Sequence, residues 1–306
     1  MYFLNTFKKI KNLIKFFFFP KLLLIRIIYI VKRFFFDICF LFYKPYKYNH
    51  IFIAGMTMSS TTRVKNMCGF IPGYFTRYMP MPHDIAVRQD ICDSAFRFSP
   101  SWGYNLFKTH LNPNESNIAI LKKNNVKKIV VTYRDLRDVV LARYYRLLNF
   151  PKKQNEPYYL PSEKQYKNIS KEDGINDCIE VICNFVPNWI FKWFEISEKE
   201  KDLVLFCRFE DLVSQPKKEF KKILDFYEIN LNEKKIDEII DMTKGKKNMV
   251  DNINEHKYLP YAYASNFRSG KIGGWKSEFT ESNIKKFKNI AGDSLVKLNY
   301  EKDNNW

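Results

Sequence analysis

The stretch at residues 49–64, NHIFIAGMTMSSTTRV, constrains the fold of this chain more than any other. An apolar β-type run at 50–54 predicts a buried strand, Gly55 permits a sharp turn, and a helix is expected to begin shortly afterwards. The first backbone N–H groups of a helix point towards an anion, and hydroxyl side chains add further donors. The sequence therefore predicts an anion cradle formed by Ser59, Ser60, Thr61 and Thr62.

This cradle differs from the phosphate loop of nucleotide triphosphatases. That motif, GxxxxGK[ST], requires a second glycine followed by lysine, and counting from Gly55 these two places hold Ser60 and Thr61. The missing lysine argues against Mg²⁺-dependent phosphoryl transfer. A turn rich in serine and threonine is also typical of a plain helix cap, so the loop taken alone leaves both interpretations open.

Two further segments carry side chains suited to chemistry. In NLFKTHLNP, residues 105–113, Lys108 and His110 are two positions apart and therefore lie on the same side of an extended chain. Histidine is well suited to accept a proton near neutral pH, although a single histidine is more often structural. A second β-rich run at 129–133 ends at Arg134, and such strand ends are where open α/β sheets bind ligands.

The second half of the chain continues the α/β pattern. A third strand is predicted at 203–209, and lysine-rich amphipathic helices are predicted at about 216–227 and 233–243. Residues 150–176 have the composition of a loop or lid.

The segment at 267–280, FRSGKIGGWKSEFT, combines Arg268 and Lys271 with three glycines. Such a sequence can wrap backbone N–H groups and an arginine fork around a phosphate, and it also suits a flexible surface loop. The six cysteines show no CxxC pair and no regular spacing, so free thiols are predicted and metal ligation is not expected.

Residues 1–45 form a separate apolar and basic element. Of the formal net charge of +18, residues 1–50 carry +9, because they contain ten Lys or Arg and one Asp. At about 100° per residue, most of these charges fall in one narrow stripe on an otherwise apolar helix. This favours a helix in a membrane interface, kinked at Pro20; a helix docked on the domain and a short tilted anchor are the alternatives. The stripe consists of Lys8, Lys11, Lys15, Arg26, Arg33, Asp37 and Lys44.

Taken together, these segments resemble the PAPS-dependent sulfotransferases. That family's pattern is a strand followed by a KSGTTW-like loop, then KTHLP, a strand with RNPKDVxVSYY, a YEDL strand end and finally FRKGxxGxWK. The corresponding segments are TMSSTTR at 57–63, KTHLN at 108–112, RDLRDVVLARYY at 134–145, FEDL at 209–212 and FRSGKIGGWK at 267–276. The KTH and FRxGxxGxWK matches are the most specific.

The resemblance implies a P-loop NTPase-like α/β sulfotransferase fold at 46–306, with a central parallel sheet flanked by helices, preceded by the amphipathic membrane-associating segment at 1–45. It implies transfer of a sulfuryl group from PAPS to a hydroxyl or amine, with PAP as product and no metal. A small-molecule, lipid or glycan acceptor is expected, and no nucleic acid. Peripheral attachment to the cytoplasmic face of a membrane is expected, and membrane anchoring in a secretory compartment is the alternative.

The resemblance also implies roles for individual residues. His110 would be the general base, and Lys108 would hold charge near the transferred group. Phe209 and Arg63 stand where the family has aromatic residues near adenine. The 5′-phosphate side of PAPS would be cradled by Ser59, Ser60, Thr61 and Thr62, and its 3′-phosphate would be bound by Arg134, Arg268, Ser269 and Gly270.

Three positions depart from the family pattern. Met58 stands where the family has a Lys or Arg that stabilises the leaving phosphate, Ala142 replaces a Ser that contacts the 3′-phosphate, and Ser60 replaces a Gly. Loss of a donor aimed at developing charge typically costs about 10²–10³ in rate. A protein that binds PAPS or PAP but turns over slowly or not at all is therefore the alternative function, unless Lys65, Lys108 or Arg63 compensates.

Overall fold

A five-stranded parallel sheet lies at the centre of the fold. The computed structural model describes residues 20–77, 79, 90–97, 99–149, 166–244 and 270–306. The strands are β1 (His50–Gly55), β2 (Phe75–Thr76), β3 (Asn105–Thr109), β4 (Ile129–Tyr133) and β5 (Val204–Arg208), in the order β2-β3-β1-β4-β5. Every neighbouring pair of these strands is parallel.

Helices cover both faces of this sheet and its β2 edge. They are α1 (Pro20–Phe42), α2 (Thr61–Gly69), α3 (Glu115–Lys123), α4 (Leu136–Asn149), α5 (Lys171–Lys199), α6 (Phe209–Ser214), α7 (Pro216–Phe226), α8 (Glu233–Met242) and α9 (Glu281–Lys297). Two 3₁₀ turns lie at Asp93–Phe96 and Gly274–Ser277. The α/β architecture with a central parallel sheet flanked by helices is thereby confirmed.

The apolar run of β1 is explained by burial on both sides. All six residues of the strand are buried. Ile51 and Ile53 pack into the core under α2, α7 and α8, whereas Phe52 and Ala54 pack into the opposite core under α4, α5 and α9. Strands of parallel sheets covered on both faces have continuous apolar sequences, which is why the sequence predicted this strand correctly.

The other predicted elements agree with the structure except for one segment. The run predicted at 129–133 is β4, the helices predicted at 216–227 and 233–243 are α7 and α8, and β5 spans Val204–Arg208 within the predicted 203–209. The assignment of 150–176 as loop or lid is wrong in its last part, because α5 begins at Lys171. Ser170 caps this helix by accepting from the Asp173 N–H at 3.0 Å. Residues 150–165 lie outside the described part of the chain.

Helix α1 packs on the sheet edge with its charged side towards the domain. Asp37 forms an ion pair with Arg77 at 2.7 Å, and after the helix ends Lys44 Nζ donates to the Trp102 carbonyl at 2.7 Å. Lys8, Lys11, Lys15 and the side chain of Arg26 lie outside the described residues, as does any kink before Pro20. Among the helices that the structure describes, α1 included, none is long and apolar enough to cross a membrane.

Candidate active site

Four strand ends meet at the carboxyl edge of the sheet and position the predicted residues. β1 leads into the loop at 56–60, β3 into His110, β4 into Arg134, and β5 into Phe209. Carboxyl edges of parallel α/β sheets are where ligands bind in such folds. The topology thus brings together residues from four distant parts of the sequence.

The loop after β1 is held from within the sheet by hydroxyl contacts. Ser59 Oγ lies 2.6 Å from Thr132 Oγ1, and Thr61 Oγ1 lies 3.2 Å from the same hydroxyl. Ser59 and Thr61 are buried, whereas Ser60 and Thr62 are partly exposed. The side chains of Ser59 and Thr61 therefore shape the loop, and a ligand above it would meet the first backbone N–H groups of α2, since a helix start leaves these groups without intrahelical partners.

Three positions of this loop restrict which residues fit there, either by close contact or by an unusual backbone conformation. A Cβ on Gly55 would lie 2.3 Å from Thr61 Oγ1 and 2.4 Å from Thr132 Oγ1, so only glycine fits there. Met58 and Ser60 have φ values of 61° and 66°, in the left-handed region. That region costs an L-residue roughly 1–2 kcal/mol. Such strain concentrates at ligand-binding loops, which agrees with the predicted anion cradle.

His110 is fixed in one tautomer beside this loop. Its Nδ1 lies 2.6 Å from the Gly55 carbonyl oxygen, which can only accept, so Nδ1 carries the proton. Nε2 is then unprotonated and lies 3.2 Å from Lys108 Nζ. Burial, followed by the charge of Lys108, lowers the pKa of His110 to about 3. The imidazole is therefore neutral at physiological pH and has a lone pair at Nε2.

Three cations, Lys108 itself among them, lie at the Lys108–His110 pair. Burial and then the charges of Lys65 and Arg146 lower the pKa of Lys108 to about 8. Lys65 is buried in α2, and Arg146 lies in α4 and also lowers the pKa of His110. The sequence analysis did not identify Arg146, although it directly follows the matched segment 134–145. The arrangement concentrates positive charge beside the Lys108–His110 pair.

Arg134 joins the loop, the strand end and the C-terminal segment. Its guanidinium donates to the Met58 carbonyl at 3.5 Å and to the Lys271 carbonyl at 2.9 Å. It also lies 3.8 Å from the ring centroid of Phe209, within cation–π distance. Arg134 and Phe209 are 8% and 4% exposed, respectively. Two residues predicted to contact different parts of PAPS thus contact each other.

Asp138, which the sequence analysis did not single out, fastens the C-terminal segment to this site. Its carboxylate accepts from the backbone N–H groups of Gly273 at 2.9 Å and Trp275 at 3.2 Å, and it forms an ion pair with Arg134 at 3.3 Å. Its side chain is buried. Its position in the matched RDLRDV segment was the available signal.

Of the remaining predicted residues, the structure describes Arg63 and Gly270. Arg63 is partly buried in α2, and burial lowers the pKa of its guanidinium. Gly270 has a φ of 64°, whereas Arg268 and Ser269 lie outside the described residues, so their roles remain predictions. In the described part of the chain, no three His, Cys, Asp or Glu side chains are grouped as a metal site would require.

Comparison with known proteins identifies relatives of this chain. The family model described as the sulfotransferase domain matches residues 49–299. Sulfotransferase 1B1 of the dog, Canis lupus familiaris, is 31% identical over 205 residues, which cover 62% of this chain and 63% of the relative. Flavonol 3-sulfotransferase of Flaveria bidentis is 24% identical over 268 residues, covering 81% of this chain and 82% of the relative. The match to the dog protein thus spans less than two thirds of that relative's length.

A solved structure shows the same fold. Mouse sulfotransferase SULT7A1, crystallised in complex with PAP, superimposes with a TM-score of 0.62 at 17% identity, covering 82% of this chain and 85% of that chain. At this identity the likeness concerns the arrangement of the sheet and helices.

Proposed function

Because the chain belongs to the sulfotransferase domain family, we propose that it transfers a sulfuryl group from PAPS to a hydroxyl or amine of an acceptor. The observation that carries this proposal is His110, neutral and fixed with its Nε2 lone pair beside the cations at the carboxyl edge of the sheet. A general base for an acceptor hydroxyl has to be in this state.

The chain's own residues account for the proton and the charge in this reaction. In this reaction an acceptor hydroxyl replaces Lys108 Nζ beside His110 Nε2. The hydroxyl gives its proton to that nitrogen as its oxygen bonds to sulfur. The bond between sulfur and the 5′-phosphate oxygen breaks, and its electron pair leaves with PAP. Lys108 stays close enough to neutralise the transferred group, and the helix N-terminus after the 56–60 loop stabilises the phosphate.

The residues around Arg134 suit the two phosphates of the donor. The loop at 56–60 and the start of α2 would hold the 5′-phosphate, while Arg134, with Arg268, Ser269 and Gly270, would hold the 3′-phosphate. This division is supported by Arg134, whose guanidinium donates to both the Met58 and the Lys271 carbonyls. Arg134 therefore connects the loop to the C-terminal segment.

Transfer of radiolabelled sulfate from PAPS into a lipid and glycan extract tests the proposal. The wild-type protein should label an acceptor, and His110→Ala should abolish labelling while PAP affinity stays within a few-fold, because the histidine does not contact the phosphates in this scheme. Near wild-type turnover by His110→Ala would refute the base assignment.

The second candidate function is a PAPS- or PAP-binding protein with impaired catalysis. The observation that favours it is Met58, whose thioether offers the leaving oxygen only a weak hydrogen-bond acceptor where the family has a cation. In the labelling experiment this protein would bind PAP and label nothing.

We further propose that the protein works peripherally at the cytoplasmic face of a membrane, held there through residues 1–45. The basic N-terminus supports the membrane contact, and the six free cysteines support a reducing compartment. High salt or mild detergent should release it from membranes. Resistance to salt and to alkaline carbonate would instead favour an anchored protein of a secretory compartment.

A further inference from the structure

Helix α1 is fixed to the sheet edge by one of its faces. Tyr29 Oη donates to the Thr76 carbonyl at 3.3 Å, and both carboxylate oxygens of Asp37 accept from Arg77, at 2.7 and 2.8 Å. Phe40 is 4% exposed and its ring lies under Gly73, where a Cβ would approach its Cζ to 2.6 Å. This face is therefore part of the folded domain.

The opposite face of α1 is apolar and exposed. Six of its large side chains are between 43% and 66% exposed, and at about 100° per residue they occupy a sector roughly 140° wide. In the described part of the helix the acidic residue is Asp37, which is paired on the docked side. Contiguous exposed apolar patches of this kind mark interaction surfaces. We call these residues the outer face: Ile30, Val31, Phe34, Phe35, Ile38 and Leu41.

The direction of α1 relates the outer face to the candidate active site. Phe40 packs on Tyr104, just before β3 begins, whereas Tyr29 reaches Thr76, the partner of Leu106, so the N-terminal end of α1 lies nearer the carboxyl edge. Between these anchors the helix spans about 16 Å at about 1.5 Å per residue, whereas the strand advances about 7 Å at roughly 3.3 Å per residue, so α1 crosses the strands obliquely. From Tyr29 the helix continues to Pro20 for about 13 Å at about 1.5 Å per residue. The N-terminal end of α1 therefore points towards the catalytic edge.

Charge indicates which surface covers the outer face. Residues 1–50 carry +9, and Lys32 is exposed beside the outer face, whereas Arg33 lies on the docked side near Arg77. An apolar face accompanied by basic residues is complementary to an anionic lipid surface, where the side chains enter the acyl region and the cations meet the headgroups. A second copy of this chain would bring two such basic segments together, which like-charge repulsion disfavours.

We propose that the outer face lies in an anionic membrane surface and holds the carboxyl edge of the sheet next to the headgroups, so that the acceptor is a membrane-resident amphiphile with a reactive hydroxyl or amine in its headgroup. The acceptor part of this proposal rests on the proposed sulfotransferase activity. The membrane part rests on the geometry of α1.

The membrane part is tested by co-sedimentation of the full chain with vesicles of phosphatidylcholine and phosphatidylserine. Val31→Glu combined with Phe34→Glu should reduce the bound fraction at least tenfold, because two carboxylates would enter the apolar layer. Phe185→Glu is the matched control, since Phe185 is 40% exposed on α5, away from this face. PAP affinity verifies the fold of each variant. Unchanged vesicle binding by the double variant would overturn the proposal, as would a wild-type dimer that the double variant converts to a monomer.

The acceptor part is tested by offering radiolabelled PAPS with vesicles of total cellular lipid or with the aqueous extract of the same cells. Label should enter the lipid, and the double variant should lose at least tenfold of this transfer while Phe185→Glu retains it. Label confined to the aqueous extract would overturn the lipid acceptor and leave the transferase activity standing. No label in either, with PAP binding intact, would instead overturn the proposed activity and with it the acceptor part, while the vesicle experiment still decides the membrane contact.

Discussion

The Lys108–His110 pair sets the pH range in which the site has its working charges. The pKa of His110 is lowered to about 3 and that of Lys108 to about 8, so neutral histidine and charged lysine coexist between these values. We expect kcat/KM to show no loss around pH 6.5, the ordinary histidine pKa, and to fall as pH rises above 8, because Lys108 then loses its proton. A pH profile of sulfate transfer measures the rate both around pH 6.5 and above pH 8.

Lys108→Arg provides the control for this profile. Arginine stays protonated throughout the range, so the loss above pH 8 should disappear in this variant even if its maximal rate is lower. Loss of activity at acid pH, centred near pH 6.5 in the wild type, would contradict the fixed, neutral state of His110.

Substitution of Met58 tests whether another cation has taken over the role of the Lys or Arg that the family has at this position. Lys65 is buried and its charge acts on Lys108, so we expect it to stabilise the leaving phosphate in place of residue 58. Met58→Lys should then change kcat less than tenfold, whereas Lys65→Ala should lower it tenfold or more. Single-turnover rates with PAPS measure both. A tenfold rise in Met58→Lys with Lys65→Ala indifferent would favour the impaired binding protein.

Between elements, Asp138 determines whether the C-terminal segment stays at the site. Its carboxylate holds the N–H groups of Gly273 and Trp275 and pairs with Arg134. Asp138→Asn keeps the shape but can accept from these donors less strongly and releases Arg134. We expect PAP to bind about tenfold more weakly, which is about 1.4 kcal/mol. Titration calorimetry with PAP measures the change.

AMP serves as the internal comparison for Asp138→Asn, because it lacks the 3′-phosphate assigned to this region. Its affinity should change little. Equal losses for PAP and AMP would show that the segment held by Asp138 does not recognise that phosphate.

For the whole molecule, the ion pair between α1 and the sheet edge joins the N-terminal segment to the domain. Arg77 is 3% exposed and Asp37 16%, so removing the carboxylate leaves a buried cation without its charged partner. Asp37→Ala should lower the free energy of unfolding by about 2–3 kcal/mol. Urea unfolding measures this. Glu228→Ala, which breaks the exposed pair with Lys47, should have little effect, and an equal loss in both variants would contradict a structural role for the docked helix.

The sequence by itself determined the features that depend on local pattern. The strands β1 and β4 follow from apolar runs, because a strand buried on both faces needs apolar residues at every position. Lys108 and His110 lie on the same side of β3 because side chains alternate along a strand. The order of the matched segments determined the family, and four of these segments end a strand or begin a helix at the same edge of the sheet.

Only the tertiary structure decided which groups these residues face. The hydroxyls of Ser59 and Thr61 turn inward because Thr132 of the neighbouring strand binds them, and the tautomer of His110 is set by the Gly55 carbonyl. Likewise, periodicity showed that α1 has a charged stripe and an apolar side, but the stripe lies against the domain because Arg77 supplies a partner for Asp37. Partners that lie far apart in sequence leave no periodic trace in it, so such pairings are determined only when the chain is folded.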